Sequence, residues 1–194
     1  MVAFVLGNGV SRESVDINKL MTRGPVYGCN GLYRTHTVTA IVATDRPISQ
    51  AIQQSGYSKN NRFYTRRPLP DSGALSVPKE YFGYSSGPNA VAIAVKDFEN
   101  PVYLVGFDMA PDEHGKFNNV YAGTEFYKPI GAAPTYTGNW AKQLSKVIED
   151  HPSIRFIRVM GPTTATLPEL ANLKNLEFVS MNTFCERINT TKDL

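Results

Sequence analysis

A short apolar run, Val2 to Leu6, stops dead at Gly7-Asn8-Gly9, and this stretch constrains the chain more than any other. Five apolar residues bounded by glycine read as a buried strand, and Ser11 is placed to cap a following helical turn. Glycine is required where a backbone turns sharply or approaches a ligand closely. Asn8 between the glycines sets an amide at the carboxyl end of the strand, where open α/β sheets bind ligands. Free N–H groups at a helix start there favour an anion such as phosphate. The same residues also suit an ordinary strand-to-helix turn, since glycine and asparagine are common turn formers.

The pattern recurs along the chain. Val26-Tyr27-Gly28-Cys29 reads as a second strand ending at Asn30, and Thr39 to Ala43 as a third ending at Thr44-Asp45. Asn30 falls about twenty residues past the first glycines, where a dinucleotide-binding unit sets a ribose-binding acid. An amide stands there instead, so that fingerprint is not met. Pro47 suits the first turn of a helix reaching Gln54. Pro88 does the same for a small apolar helix over Asn89 to Val95, preceded by Ser85-Ser86-Gly87. Pro101 to Gly106 reads as a strand ending at Phe107-Asp108. A helix from Trp140, with Leu144, Val147 and Ile148 on one face, stops at Pro152. Ile154 to Val159 alternates apolar and basic residues as a strand, Leu167 to Leu173 is a short helix, and Leu176 to Val179 is a last strand. Val15 to Leu20 reads as one helical turn and a loop, and the tail from Asn182 as polar and peripheral. Strands alternating with helical patterns predict an α/β fold with a mainly parallel sheet.

Two segments resist that scheme. Gly56 to Ser76 is irregular, and within it Arg62 to Arg67 interleaves cations with aromatics. Such a cluster is compatible with phosphate or single-stranded nucleic acid, but more often it is an edge strand with a solvated face. Ala110 to Gly138 is long, polar and tyrosine-bearing, as functional lids and interaction arms are.

The 194 residues suit one domain. A formal charge of +3 is too small for nucleic-acid binding by bulk attraction. Cys29 and Cys185 match no metal-ligand spacing and read as reduced thiols of a cytosol-like compartment. No apolar run is long enough to span a bilayer and no export signal is legible, so the expected location is cytoplasmic, with no membrane partner. Asp112-Glu113-His114 has adjacent rather than helically spaced groups and reads as a solvated turn, so no metal site is assigned. Asp45 and Asp108, at strand ends, fit either Mg²⁺ with phosphate or helix caps.

Three segments together resemble the bacterial sialyltransferases that use CMP-sialic acid, and the wider group of motility-associated glycosyltransferases and pterin pyrophosphokinase-like proteins. They are Leu6 to Ser11, Gly28 to Asn30, and Ser85-Ser86-Gly87 followed by its alanine-rich helix and Tyr103 to Asp108. The Gly-Asn-Gly and Gly-Cys-Asn segments are also similar to small tailed-bacteriophage proteins. The resemblance implies a Rossmann-like domain, flanked by helices and carrying residues 110–138 as an extended loop or arm. It implies a nucleotide site of Asn8, Gly9, Ser11, Asn30, Ser86, Gly87 and Asp108, with CMP or another nucleotide, or a nucleotide sugar, as ligand. The catalytic residues do not carry over. The place of the family's histidine reads Thr135 to Trp140, and the places of its two phosphate-binding tyrosines fall at Ala110 and near Lys116, with Tyr121 offset. Two functions are therefore expected as rivals: a nucleotide-binding, glycosyltransferase-like protein, or a non-enzymatic structural component of a phage virion that contacts other phage proteins or its own copies.

Overall fold

A computed structural model describes residues 1–97 and 99–190. Eight strands form one sheet in the order β5-β4-β3-β2-β1-β6-β7-β8, numbered along the chain: Ala3–Leu6, Val26–Cys29, Ala40–Val42, Phe63–Thr65, Leu75–Ser76, Val102–Val105, Phe156–Met160 and Leu176–Ser180. Every neighbouring pair runs parallel. The α/β fold expected from the alternating pattern is therefore present, as a wholly parallel sheet with helices on both faces.

Strand alternation decides which face each residue meets. Ala3 and Val5 point toward α4 (Ser86–Lys96) and α5 (Gly138–Glu149), joined there by Val102 and Leu104. Phe4 and Leu6 point the other way, toward α1 (Ile17–Arg23), α2 (Arg46–Gln54) and α7 (Met181–Asn189). Two shorter helices, α3 (Tyr57–Asn60) and α6 (Pro168–Ala171), are also present. A strand covered on both faces needs apolar residues at every position, and β1, β2 and β6 have them.

Several expectations change. The irregular Gly56 to Ser76 segment contains α3, β4 and β5. Arg62 to Arg67 is not an edge strand, because β5 pairs outside β4; Phe63, Tyr64 and Thr65 are all buried. Of Val15 to Leu20, the residues from Ile17 open a two-turn helix that runs on to Arg23; its cap Asp16 accepts from the Lys19 N–H. The tail from Asn182 is not peripheral. Its residues to Asn189 lie in α7, and Phe184 is fully buried against Phe4 and Tyr103; residues 191–194 lie outside the described residues. Nor does β7 present a basic face. Arg155 precedes the strand and pairs with Glu177 at the surface, whereas Arg158 is fully buried. The helix expected at Trp140 begins at Gly138, and its buried stripe is Ala141, Leu144, Ser145, Val147 and Ile148. No described helix is long and apolar enough to cross a membrane.

The chain leaves β1 toward β2–β5 on one side and later returns to build β6–β8 on the other. The order reverses between β1 and β6, which is where open α/β sheets form a ligand crevice. Pairing of Leu6 with Val105 sets Gly7-Asn8-Gly9 directly beside Gly106-Phe107-Asp108.

Candidate functional site

Above that reversal lies a cavity of about 270 Å³. Asn8 and Gly9 after β1, Asn30 after β2, Ser86 and Gly87 at the start of α4, and Asp108 after β6 all line it. Ser11 is not among the lining residues.

Asp108 organises the floor. It is 3% exposed, and its carboxylate accepts from the Ser11 N–H at 3.0 Å, the Ser11 hydroxyl, Asn118 Nδ2 at 3.2 Å, Thr163 Oγ1 at 2.7 Å and Thr164 Oγ1 at 3.1 Å. Two carboxylate oxygens offer about four lone-pair positions. Protein donors fill them. Asp108 therefore neither caps a helix nor has room for Mg²⁺ or a ligand. Ser11 likewise is no N-cap: Gly9 holds that position before a 3-10 turn over Val10–Ser14, and the Ser11 hydroxyl is spent on Asp108. Gly9 is glycine because any Cβ would collide with the Asp108 carboxylate. Gly7 is glycine because a Cβ would strike the Gly106 carbonyl.

The rim is built around Ser86. Its hydroxyl accepts from the Thr44 N–H at 3.0 Å, lies 3.1 Å from Thr44 Oγ1 and donates to Asn30 Oδ1 at 3.1 Å. Those bonds tie the ends of β2 and β3 to the start of α4. They also orient the Asn30 amide: with Oδ1 held by Ser86, Nδ2 has no acceptor among the described residues. Asn30 itself adopts a left-handed conformation, φ 53°, which asparagine tolerates better than most residues. Ser86 and Gly87 occupy the first two positions of an 11-residue helix, so their N–H groups have no intrahelical acceptor. Pro88 stands third, where it has no N–H to waste, and Asn89 is the first to bond back, to the Ser85 carbonyl. Buried Asn89 Nδ2 also donates to the Tyr81 and Tyr84 carbonyls, fixing the approach to this helix.

Pro88, Phe107, Met109, Phe117, Pro134 and Trp140 supply apolar wall. Trp140 was expected on the buried face of its helix; it sits instead at the edge, half-buried and facing the cavity. The sequence reading also missed Asn119, whose Oδ1 accepts from the Tyr121 N–H while Nδ2 has no partner among the described residues. Asn119 gave no local signal, because it reaches the cleft only through the path of the long segment, and Trp140 was read with the buried face of a helix whose edge it occupies.

That segment lies across the carboxyl edge of the sheet rather than projecting as an arm. The Val120 N–H donates to the Asn8 carbonyl at 2.8 Å, and the Val10 N–H to Asn118 Oδ1 at 2.8 Å. Tyr127 Oη accepts from the Gly31 N–H at 2.8 Å. Arg12, only 7% exposed, donates to Tyr121 Oη at 3.0 Å and lies over its ring, 5.5 Å from the centroid. No carboxylate partners Arg12 among the described residues, and its Nε is buried without an acceptor. Arg158 beneath the floor donates to the Ala165 and Phe107 carbonyls at 2.7 Å. Burial pulls its pKa down to about 10, against the opposing pull of Asp108. The base of the cleft thus holds two buried cations and one buried carboxylate, a field that favours an anion.

The described lining residues include one thiol, Cys29, and two carboxyl groups, Asp45 and Asp108. Burial pushes the Cys29 thiol up to about 12, so it stays protonated. Asp108 is saturated. Asp45 is exposed, and its side chain caps no helix and meets no donor among the described residues. No histidine lines the cavity. His114 sits with Glu113 on an exposed turn closed by Asp112, whose Oδ1 accepts from the His114 and Lys116 N–H groups. Among the described residues no three His, Cys, Asp or Glu side chains gather as a metal site.

No family model and no curated protein matches the chain. Among solved structures, it is similar to the MAf glycosyltransferase from Magnetospirillum magneticum AMB-1, 17% identical over 90% of this chain and 35% of that one, with a TM-score of 0.49. The chain spans about a third of that protein's length, and so distant a likeness decides nothing about what this chain does.

Proposed function

We propose that the cleft binds a nucleoside phosphate, as the nucleotide part of a nucleotide sugar, in a glycosyltransferase-like protein that lacks the sialyltransferase histidine. One observation carries this reading: the uncommitted Ser86 and Gly87 N–H groups and the donor side of Asn30 line a single cavity at the sheet's reversal point. Helix-start amides suit a phosphate. Amide N–H groups suit ribose oxygens or the acceptors on a pyrimidine edge, and Trp140 and Phe117 give a base an aromatic wall. Asn8 is the weaker contributor, since its Nδ2 already leans on the Cys29 carbonyl at 3.4 Å. Ser86 acts through its backbone, its hydroxyl being committed.

Calorimetry with CMP, UMP, AMP and GMP tests it. At least one should bind, and Asn30→Ala should weaken it about tenfold, the loss of one buried hydrogen bond at about 1–3 kcal/mol. No binding of any of the four by the intact protein overturns the reading.

A second reading, a structural component of a phage virion, draws on Ile130, 83% exposed, and Tyr136, 74% exposed, on the segment over the cleft. Aromatic and apolar residues presented this way favour contact with another chain. Concentration-dependent association lost in Ile130→Asp with Tyr136→Ser would favour it; a monomer at all concentrations would count against it.

A further inference from the structure

A second cavity, of about 350 Å³, lies beside the first at the carboxyl ends of β3 and β4. Arg46, Arg66, Arg67, Gln50 and Asp45 line it, and Asp45 lines both cavities. The three arginines face one carboxylate. Arg66 is fixed, donating to the carbonyls of Phe82 at 2.7 Å, Gly83 at 3.0 Å and Tyr84 at 2.7 Å. Those carbonyls do not neutralise its charge. The exposed Arg46 and Arg67 side chains make no hydrogen bond or ion pair among the described residues. Three cations elsewhere do meet a carboxylate: Arg62 with Asp97, Arg155 with Glu177 and Lys146 with Asp150. The start of α2 opens on the same space. Asp45 leaves it uncapped, and the Arg46 and Ile48 N–H groups have no intrahelical acceptor. The hydroxyls of Ser49 and Thr65 bond each other at 2.6 Å and so add a neutral wall.

We propose that this second cavity binds the oxyanion, phosphate or carboxylate, of a second small substrate whose hydroxyl groups face Asp45. The cations supply the attraction, and guanidinium groups fit an oxyanion by paired N–H donors. Asp45 is the acceptor for a hydroxyl, and as the wall common to both cavities it is where a ligand of one meets a ligand of the other. The assignment as a second substrate rests on the nucleotide reading of the first cavity; the anion site itself does not.

Calorimetry and amide chemical shifts at constant ionic strength, with inorganic phosphate, glucose 6-phosphate, glucuronate and glucose, provide the test. Phosphate and at least one of the charged sugars should saturate, with glucose inert; which one binds separates phosphate from carboxylate. Arg46→Gln with Arg67→Gln should weaken phosphate at least tenfold while leaving CMP binding intact. Asn30→Ala should leave phosphate unchanged. Asp45→Asn, which removes the one carboxylate among the described lining residues, should tighten phosphate severalfold. The proposal is overturned if none of the anions saturates, if Asn30→Ala weakens phosphate as much as the arginine pair does, or if Asp45→Asn abolishes binding. Phosphate binding lost in the arginine pair, in a protein that binds no nucleotide, sustains the anion site and retires the reading of the first cavity alone.

Discussion

Asp108 shows how a residue with the right address can have the wrong chemistry for a ligand. Its position after β6 matched a nucleotide site, yet all its acceptor capacity is used by Ser11, Asn118, Thr163 and Thr164. These partners come from the turn after β1, the long segment and the loop after β7, so a single carboxylate joins three separate stretches of chain. Replacing it with asparagine keeps one acceptor oxygen and sets N–H groups against donors. Each buried donor left unpaired costs about 1–3 kcal/mol. Asp108→Asn is therefore expected to lower unfolding stability by more than about 2 kcal/mol, as the urea midpoint would show at unchanged slope. A midpoint within error of the parent would mean that this carboxylate is not the fold's internal junction. Gly9 depends on the same group, because it must clear it.

Elements were legible wherever a short apolar run ended in a polar turn. The strands through Val26 and Val102 and the helix behind Pro88 fall where their periods put them. What escaped was set by tertiary context. β4 looked like an edge because Arg62, Arg66 and Arg67 surround its three apolar-facing residues, and only the pairing of β5 outside it shows otherwise. α7 looked polar because Asn182, Thr183, Glu186 and Arg187 dominate it by count. Its signal was the spacing of Met181, Phe184 and Ile188, three and four apart, all buried. Of the cleft, Asn30 and the Ser86-Gly87 helix start were readable from strand and helix ends, whereas Asn119 depends on a segment without periodicity and Trp140 on which edge of its helix faces the cavity. Phe184 gives the element-scale prediction. It is fully buried between Phe4 and Tyr103, with ring centroids 6.2 and 5.3 Å away. Phe184→Ala should cost about 3–5 kcal/mol, far more than a peripheral tail allows. A loss below about 1 kcal/mol, measured by denaturant unfolding, would restore the tail to the periphery.

Across the whole molecule, the two cavities open at the carboxyl edge of the sheet, while a charged cluster joins distant elements away from them. Asp97 at the end of α4 accepts from Tyr27 Oη of β2 at 2.8 Å and from Arg62, just before β4, at 2.7 and 3.1 Å. Burial alone would raise the Asp97 pKa. The hydrogen bonds from Arg62 and Tyr27 and the Arg62 charge outweigh it and hold the group below its ordinary 3.8. A carboxyl group lowered on folding stabilises the native state fully above its unfolded pKa, and that contribution is lost as pH falls through the lower folded value. Glu177 and Asp150 are lowered too, by Arg155 and Lys146 respectively, but those pairs sit in solvent, where such contacts contribute little. Asp97 should therefore dominate the acid limb among these three. Thermal unfolding from pH 6 down to pH 3 should show Asp97→Asn less stable than the parent at pH 6 and the two curves converging toward pH 3. Curves that stay parallel over that range would assign the acid response elsewhere. Because none of these three residues lines either cavity, nucleotide and phosphate binding measured at pH 7 should be unchanged in the same variant, which separates a loss of stability from a loss of site.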